Sequence, residues 1–141
     1  MEEKDTDDLQ QELMGSSDIQ AYLSENESRF VEADVLEQLE WMRRRSGLSK
    51  AALARKADMS EVYLYQVLAS RRTASRDRLL CLCIALGASL EEVQRLLKRA
   101  SCAQLYPRVR RDAIISHGLI HRRSLQEVNE TLFAANEQSL S

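Results

Sequence analysis

The chain has 141 residues, 44% hydrophobic and 30% charged, with one proline, four glycines and a formal net charge of -2. That length buries one ordinary core and hardly two. No stretch approaches the roughly 20 apolar residues that cross a bilayer, and the opening MEEKDTDD has neither the basic nor the apolar part of a secretory leader, so a cytoplasmic protein with no membrane partner is expected. The near-neutral total hides a division of charge: residues 1–40 hold 13 Asp or Glu against two basic residues, and residues 41–141 hold 18 Lys or Arg against nine acidic ones. A basic body behind an acidic segment favours a polyanionic partner.

Many Ala, Leu, Arg and Glu residues with few β-branched runs favour helices. Residues 1–28 read as an acidic, largely disordered tail, whose first 18 residues carry only Leu9, Leu13 and Met14 as large apolar side chains and are expected to be disordered or a frayed helix. From Phe30, the apolar positions Val31, Val35, Leu39 and Met42 recur at helical spacing and predict a helix to about Arg45, broken by Gly47. Ser49 can cap the next helix, which carries Ala51, Ala52, Leu53, Ala54 and Ala57. A corner at Asp58–Met59 follows, and Ser60 can cap a helix bearing Val62, Tyr63, Leu64, Val67 and Leu68 up to a break at Ser70. Two short helices and a tight corner within Leu48–Ser70 have the spacing of a helix-turn-helix.

After the basic connection Arg71–Ser75, Leu79, Leu80, Leu82, Cys83 and Leu86 predict a buried helix stopped by Gly87, and Ser89 with Glu91 and Glu92 starts another on Leu90, Val93, Leu96 and Leu97. Five body helices thus precede residue 101, giving a domain over 29–100. Residues 76–100 align without a gap to 111–135 at an offset of 35. Arg76, Asp77, Ser89, Leu90, Glu92, Val93, Leu97 and Ala100 meet identical residues, which predicts two related helical hairpins. Residues 101–141 are therefore expected to be a C-terminal helical extension packed on the same body, its helix starting near Arg110 after Pro107. The fold class is all-α.

A helix entering the major groove exposes groups that meet base edges while its other face stays anchored. With Leu64, Val67 and Leu68 as anchors, Ser60, Glu61, Val62 and Gln66 become the base-contact candidates, although Val62 can equally fill the core. Gln66 can pair with adenine, Glu61 can accept from cytosine N4, and Val62 can touch a thymine methyl. Ser60–Ser70 contains no Lys or Arg, so attraction to DNA falls to the flanks. Lys50, Arg71 and Arg72 are the phosphate-contact candidates, with Arg43 to Arg45, Arg55, Lys56, Arg76 and Arg78 nearby. Arg108, Arg110 and Arg111 either extend that footprint or form structural ion pairs.

Catalytic and metal chemistry find no constellation, and no cofactor is expected. His117 and His121 share an i,i+4 spacing but HGLIH lacks a glutamate and a third ligand. Cys81, Cys83 and Cys102 read as thiols, being odd in number and apart from ligand-spaced histidines. No glycine-rich phosphate loop occurs, and no nucleophile has a base beside it.

The segments LSKAALARKA, MSEVYLYQVL, SRRTASRDRLLCLCIALG and ASLEEV together resemble the Cro and phage-repressor class of helix-turn-helix domains, the bacterial xenobiotic-response-element class. That resemblance implies a sequence-specific DNA-binding transcriptional regulator, with Lys50 at a phosphate and Ser60, Glu61, Val62 and Gln66 in the groove. The run LYPRVRRDAIISHGLIHRRSLQEVNETLFAANEQSL resembles the tail of small bacterial helix-turn-helix proteins that are classed with regulators by their fold. Three positions depart from the repressor pattern: Asp58 stands at the corner glycine, Ala52 at a frequent glutamate, and Ser70 at the glycine that ends the recognition helix. These departures, with Glu61, Tyr63 and Tyr65, keep open an alternative in which the scaffold is a protein-interaction adaptor and the two tyrosines contact a partner protein. A homodimer through Leu119, Ile120, Leu132 or Phe133 is compatible with the two half-sites such proteins use.

Overall fold

A computed structural model describes residues 4–27 and 30–141. The 28–29 boundary of the acidic tail and the side chain of Val31 lie outside the described residues. Among these residues the chain is all-helical, with no strand. No described helix is long and apolar enough to cross a membrane.

In the acidic segment the described residues form α1 (Thr6–Gly15) and α2 (Ile19–Glu25). The cause is capping: Asp5 accepts from the Asp8 N–H while Asp8 answers on the Asp5 N–H, and Asp18 accepts from the Gln20 N–H. A polar cluster then joins the two. Lys4 Nζ donates to Glu12 at 2.6 Å and to Asn26 Oδ1 at 3.0 Å, and the buried Asn26 amide donates to Glu12 at 2.9 Å. Neither helix contributes to the main core.

The core begins with α3 (Val31–Ser46), which buries Val35, Leu39 and Met42 on one stripe. Gly47 ends it at φ 74°, a left-handed conformation that glycine adopts without steric cost. Then come α4 (Lys50–Lys56), α5 (Glu61–Leu68), α6 (Arg76–Ala85) and α7 (Leu90–Arg99). Each starts on a serine whose hydroxyl accepts a first-turn N–H: Ser49, Ser60, Ser75 and Ser89. Leu79 through Ile84 are all buried, so α6 is the central helix, apolar on every side. Around it α4 packs on α5 and α6, and α3 packs on α7. The α3–α7 contact is tied by Gln38, whose Nε2 donates to the Glu92 carbonyl at 2.9 Å and whose Oε1 accepts from Arg99 at 3.0 Å.

The extension folds as α8 (Arg110–Ile120) and α9 (Leu125–Ala134), with Ser124 and Glu127 repeating the capping box of Ser89 and Glu92. Helix α8 packs on α7 and α9 on α6. Ile115, Leu119, Val128, Leu132 and Leu140 join the same core cluster as the body.

Candidate nucleic-acid interface

The corner between α4 and α5 is built without glycine. Asp58 takes φ 54° there, and the Met59 N–H returns to the Ala54 carbonyl at 3.0 Å. Ser70 takes φ 59° after α5, where its N–H reaches the Val67 carbonyl at 3.1 Å. Both left-handed positions that the repressor pattern fills with glycine are thus held by short polar residues, with the helix ends preserved.

Helix α5 is anchored by Leu64 and Val67, both buried, with Leu68 half-buried beside them. Its opposite face is open. Ser60 and Glu61 are exposed, Gln66 is half-buried, and Val62 is 66% exposed, so Val62 does not fill the core. The Ser60 hydroxyl oxygen accepts the Tyr63 N–H at 3.0 Å, which leaves its O–H to donate outward.

Cationic side chains border this face, and the tyrosines hold them. Arg72 and Arg78 each place a guanidinium 5.0 Å from the Tyr63 ring centre, and Lys50 places its ammonium 5.7 Å from that of Tyr65. Tyr63 is half-buried and Tyr65 45% exposed. Tyr63, Arg72, Arg78, Ser60 and Ser75 line an open recess of about 610 Å³ next to the start of α5. On the other flank, Lys50, Val62, Tyr65, Gln66 and Arg71 line a second recess of about 640 Å³. Lys50, Arg71 and Arg72 are exposed. Arg78, in the first turn of α6, belongs to this set through Tyr63, a link that no sequence spacing announces.

Other flanking arginines serve the fold. Arg43 pairs with Glu40 at 2.5 Å and donates to the Leu48 carbonyl, and Arg45 pairs with Glu92 at 2.5 Å. Arg76 pairs with Asp112 at 3.1 Å and Arg111 with Asp77 at 2.8 Å. The homodimer patch is also reduced, because Leu119 and Leu132 are buried while Ile120 and Phe133 remain exposed. The rings of His117 and His121 lie 4.2 Å apart, and among the described residues no group of three or more His, Cys, Asp or Glu side chains is placed to hold a metal. Cys81 and Cys83 are buried and Cys102 half-buried, all as free thiols.

Residues 35–96 match a family model described as a helix-turn-helix domain. The matched segment runs from within α3 into α7 and leaves α8 and α9 outside. No curated protein and no solved structure matches the chain.

Proposed function

We propose that the chain is a non-enzymatic, sequence-specific DNA-binding regulator of transcription that inserts α5 into the major groove. The observation that carries this reading is the division of α5: Leu64 and Val67 are fixed in the core while Glu61 and Val62 stand clear of it, between recesses edged by Lys50, Arg71, Arg72 and Arg78. Ser60, Glu61, Val62 and Gln66 then meet base edges, and the four cations meet phosphates on either side. This arrangement is the one expected of the Cro and phage-repressor class that the sequence resembles. Selection of bound fragments from a random double-stranded DNA pool tests it. One enriched motif is expected, with Gln66→Ala relaxing preference at one position; failure to enrich any motif contradicts it.

One observation favours a second reading, an adaptor that binds protein. Val62 and Tyr65 are apolar or aromatic and exposed, and Glu61 repels phosphate. Capture of a single protein that resists nuclease, with no DNA recovered in the untreated sample, supports the adaptor over the regulator.

A further inference from the structure

The 35-residue echo is a structural repeat down to single hydrogen bonds. In the first unit the Gln94 side chain clasps Leu105, accepting its N–H at 2.7 Å and donating to its carbonyl at 2.8 Å. In the second, Asn129 clasps Leu140 in the same way at 2.7 and 3.1 Å. Arg76 donates to the carbonyls of Ala103 and Gln104, and Arg111 to those of Gln138 and Ser139. The left-handed residues Gly87 and Ser101 recur as Arg122 and Asn136.

The contact between the two units is reciprocal. Arg76 of the first pairs with Asp112 of the second, and Arg111 of the second pairs with Asp77 of the first. Likewise α6 packs on α9 while α7 packs on α8. A translational stack would give only one of each pair of contacts, so the units are related by an approximate two-fold axis. A two-fold contact is self-complementary. Uncovered, the face of the first unit would fit the same face of a second copy, with Arg76 of each chain meeting Asp77 of the other.

The outer sides of the two units differ. On the first, Leu79, Leu82, Cys83, Val93 and Leu96 are buried beneath the rest of the body. Of the corresponding residues, Gly118 and Val128 are buried too, but Ile114 is half-buried and His117 and Thr131 are exposed, and all five line an open groove of about 540 Å³. His117 and Thr131 in place of two leucines let that side face water. The second unit therefore keeps a protomer's interface and lacks a protomer's reading head.

We propose that the α6–α7 face is a homodimerisation surface, occupied within this chain by the α8–α9 hairpin as a stand-in for a second copy. The hairpin holds the protein as a monomer with one reading helix, and the exposed residues Tyr106 to Arg110 form the joint on which it is displaced. This is independent of whether α5 reads DNA.

Light scattering on the full chain across a concentration series tests it. The unaltered chain is expected to keep the mass of one chain. Asp112→Arg sets two arginines against each other, and the mass is expected to double as the hairpin leaves. Adding Arg76→Asp restores the pair within the chain with its signs exchanged and removes the arginine that a second copy needs, so one-chain mass should return. Should Asp112→Arg lose its helical circular dichroism, a flexible Gly-Ser insertion of about 20 residues within 106–110 weakens the hairpin's hold without touching the core, and again should double the mass. A dimeric unaltered chain overturns the proposal, as does a folded variant that stays monomeric throughout. So does a dimer that survives Arg76→Asp with Asp112→Arg, which would be an exchange of hairpins.

Discussion

Arg45, in the last turn of α3, holds Glu92, in the first turn of α7, through two bonds of 2.5 and 3.0 Å. The same carboxylate accepts the Ser89 N–H at 2.9 Å, so one side chain both caps α7 and fastens it to the first helix of the body. The Arg45 bond foremost, and then the bonds from Ser89, hold the Glu92 carboxyl below its ordinary value of 4.5. A carboxyl whose folded pKa is depressed contributes stability that is complete above its unfolded value and is lost as pH falls through the lower folded value. Replacing Glu92 with Gln is therefore expected to lower the melting temperature at pH 7 and to shrink the further loss below pH 4.5. Thermal scans at neutral and acid pH check this, and an acid limb identical to that of the parent chain would refute it.

Gly118 on α8 lies against Val128 on α9. A Cβ added there would lie 2.5 Å from Val128 Cγ2, well inside contact distance, and Val128 is itself buried. Overpacking of this kind costs about 1–3 kcal/mol, against roughly 1 kcal/mol gained because Ala favours a helix over Gly. Gly118→Ala should thus destabilise the chain in urea by about 1 kcal/mol net. Adding Val128→Ala removes the clashing methyl, so the two losses should be less than additive.

Burial pushes the Cys81 thiol up to about 11 and the Cys83 thiol to about 12, whereas Cys102 lies half-buried in the connection after α7. At pH 8 an alkylating reagent is expected to take one thiol in the folded protein, Cys102, and all three after unfolding. Mass spectrometry of the labelled peptides gives the answer; fast labelling of Cys83 in the native state would contradict the packing of α6.

Tyr63 is a positioning residue in the proposed interface, since Arg72 and Arg78 both lie on its ring at 5.0 Å. An exposed cation–π contact is worth about 0.5–1 kcal/mol, so Tyr63→Leu should weaken DNA binding by roughly two- to fivefold on the strength of either contact. Tyr63→Phe, which keeps the ring, should bind as the parent does. Fluorescence anisotropy on a labelled duplex checks the pair, and equal losses in both variants would show that the ring plays no part.

Local signals make much of this fold legible in the sequence. Ser49, Ser60 and Ser89 announce helix starts because capping needs only the residues that follow, while Gly47 announces an end and Pro107 the break before α8 for equally local reasons. The echo of 76–100 in 111–135 is plain in its identical residues. Its geometry is not, because pairing Arg76 with Asp112 and Arg111 with Asp77 depends on how two hairpins meet in space. The same limit explains why Arg43 and Arg45 look available to phosphate yet are held by Glu40 and Glu92, and why Leu119 and Leu132 look like surface contacts yet lie in the core. Acidic composition leaves disorder and a frayed helix both open near the start of the chain, because it does not weigh Asp5 and Asp18 as caps of α1 and α2. On α5, the helical phase set by Leu64 and Val67 identifies the open face, and only the packing decides that Val62 belongs to it.

The central claim, that α5 enters the groove while flanking cations hold the backbone, is tested most directly by the salt dependence of binding to a selected duplex. Each phosphate contact contributes about 0.9 to the slope of log affinity against log salt. Arg71→Ala with Arg72→Ala should therefore flatten that slope by roughly 2 and weaken all sequences together, while Gln66→Ala should leave the slope unchanged and relax base preference. An unchanged slope in the double variant, or a slope near zero in the parent chain, would contradict the account.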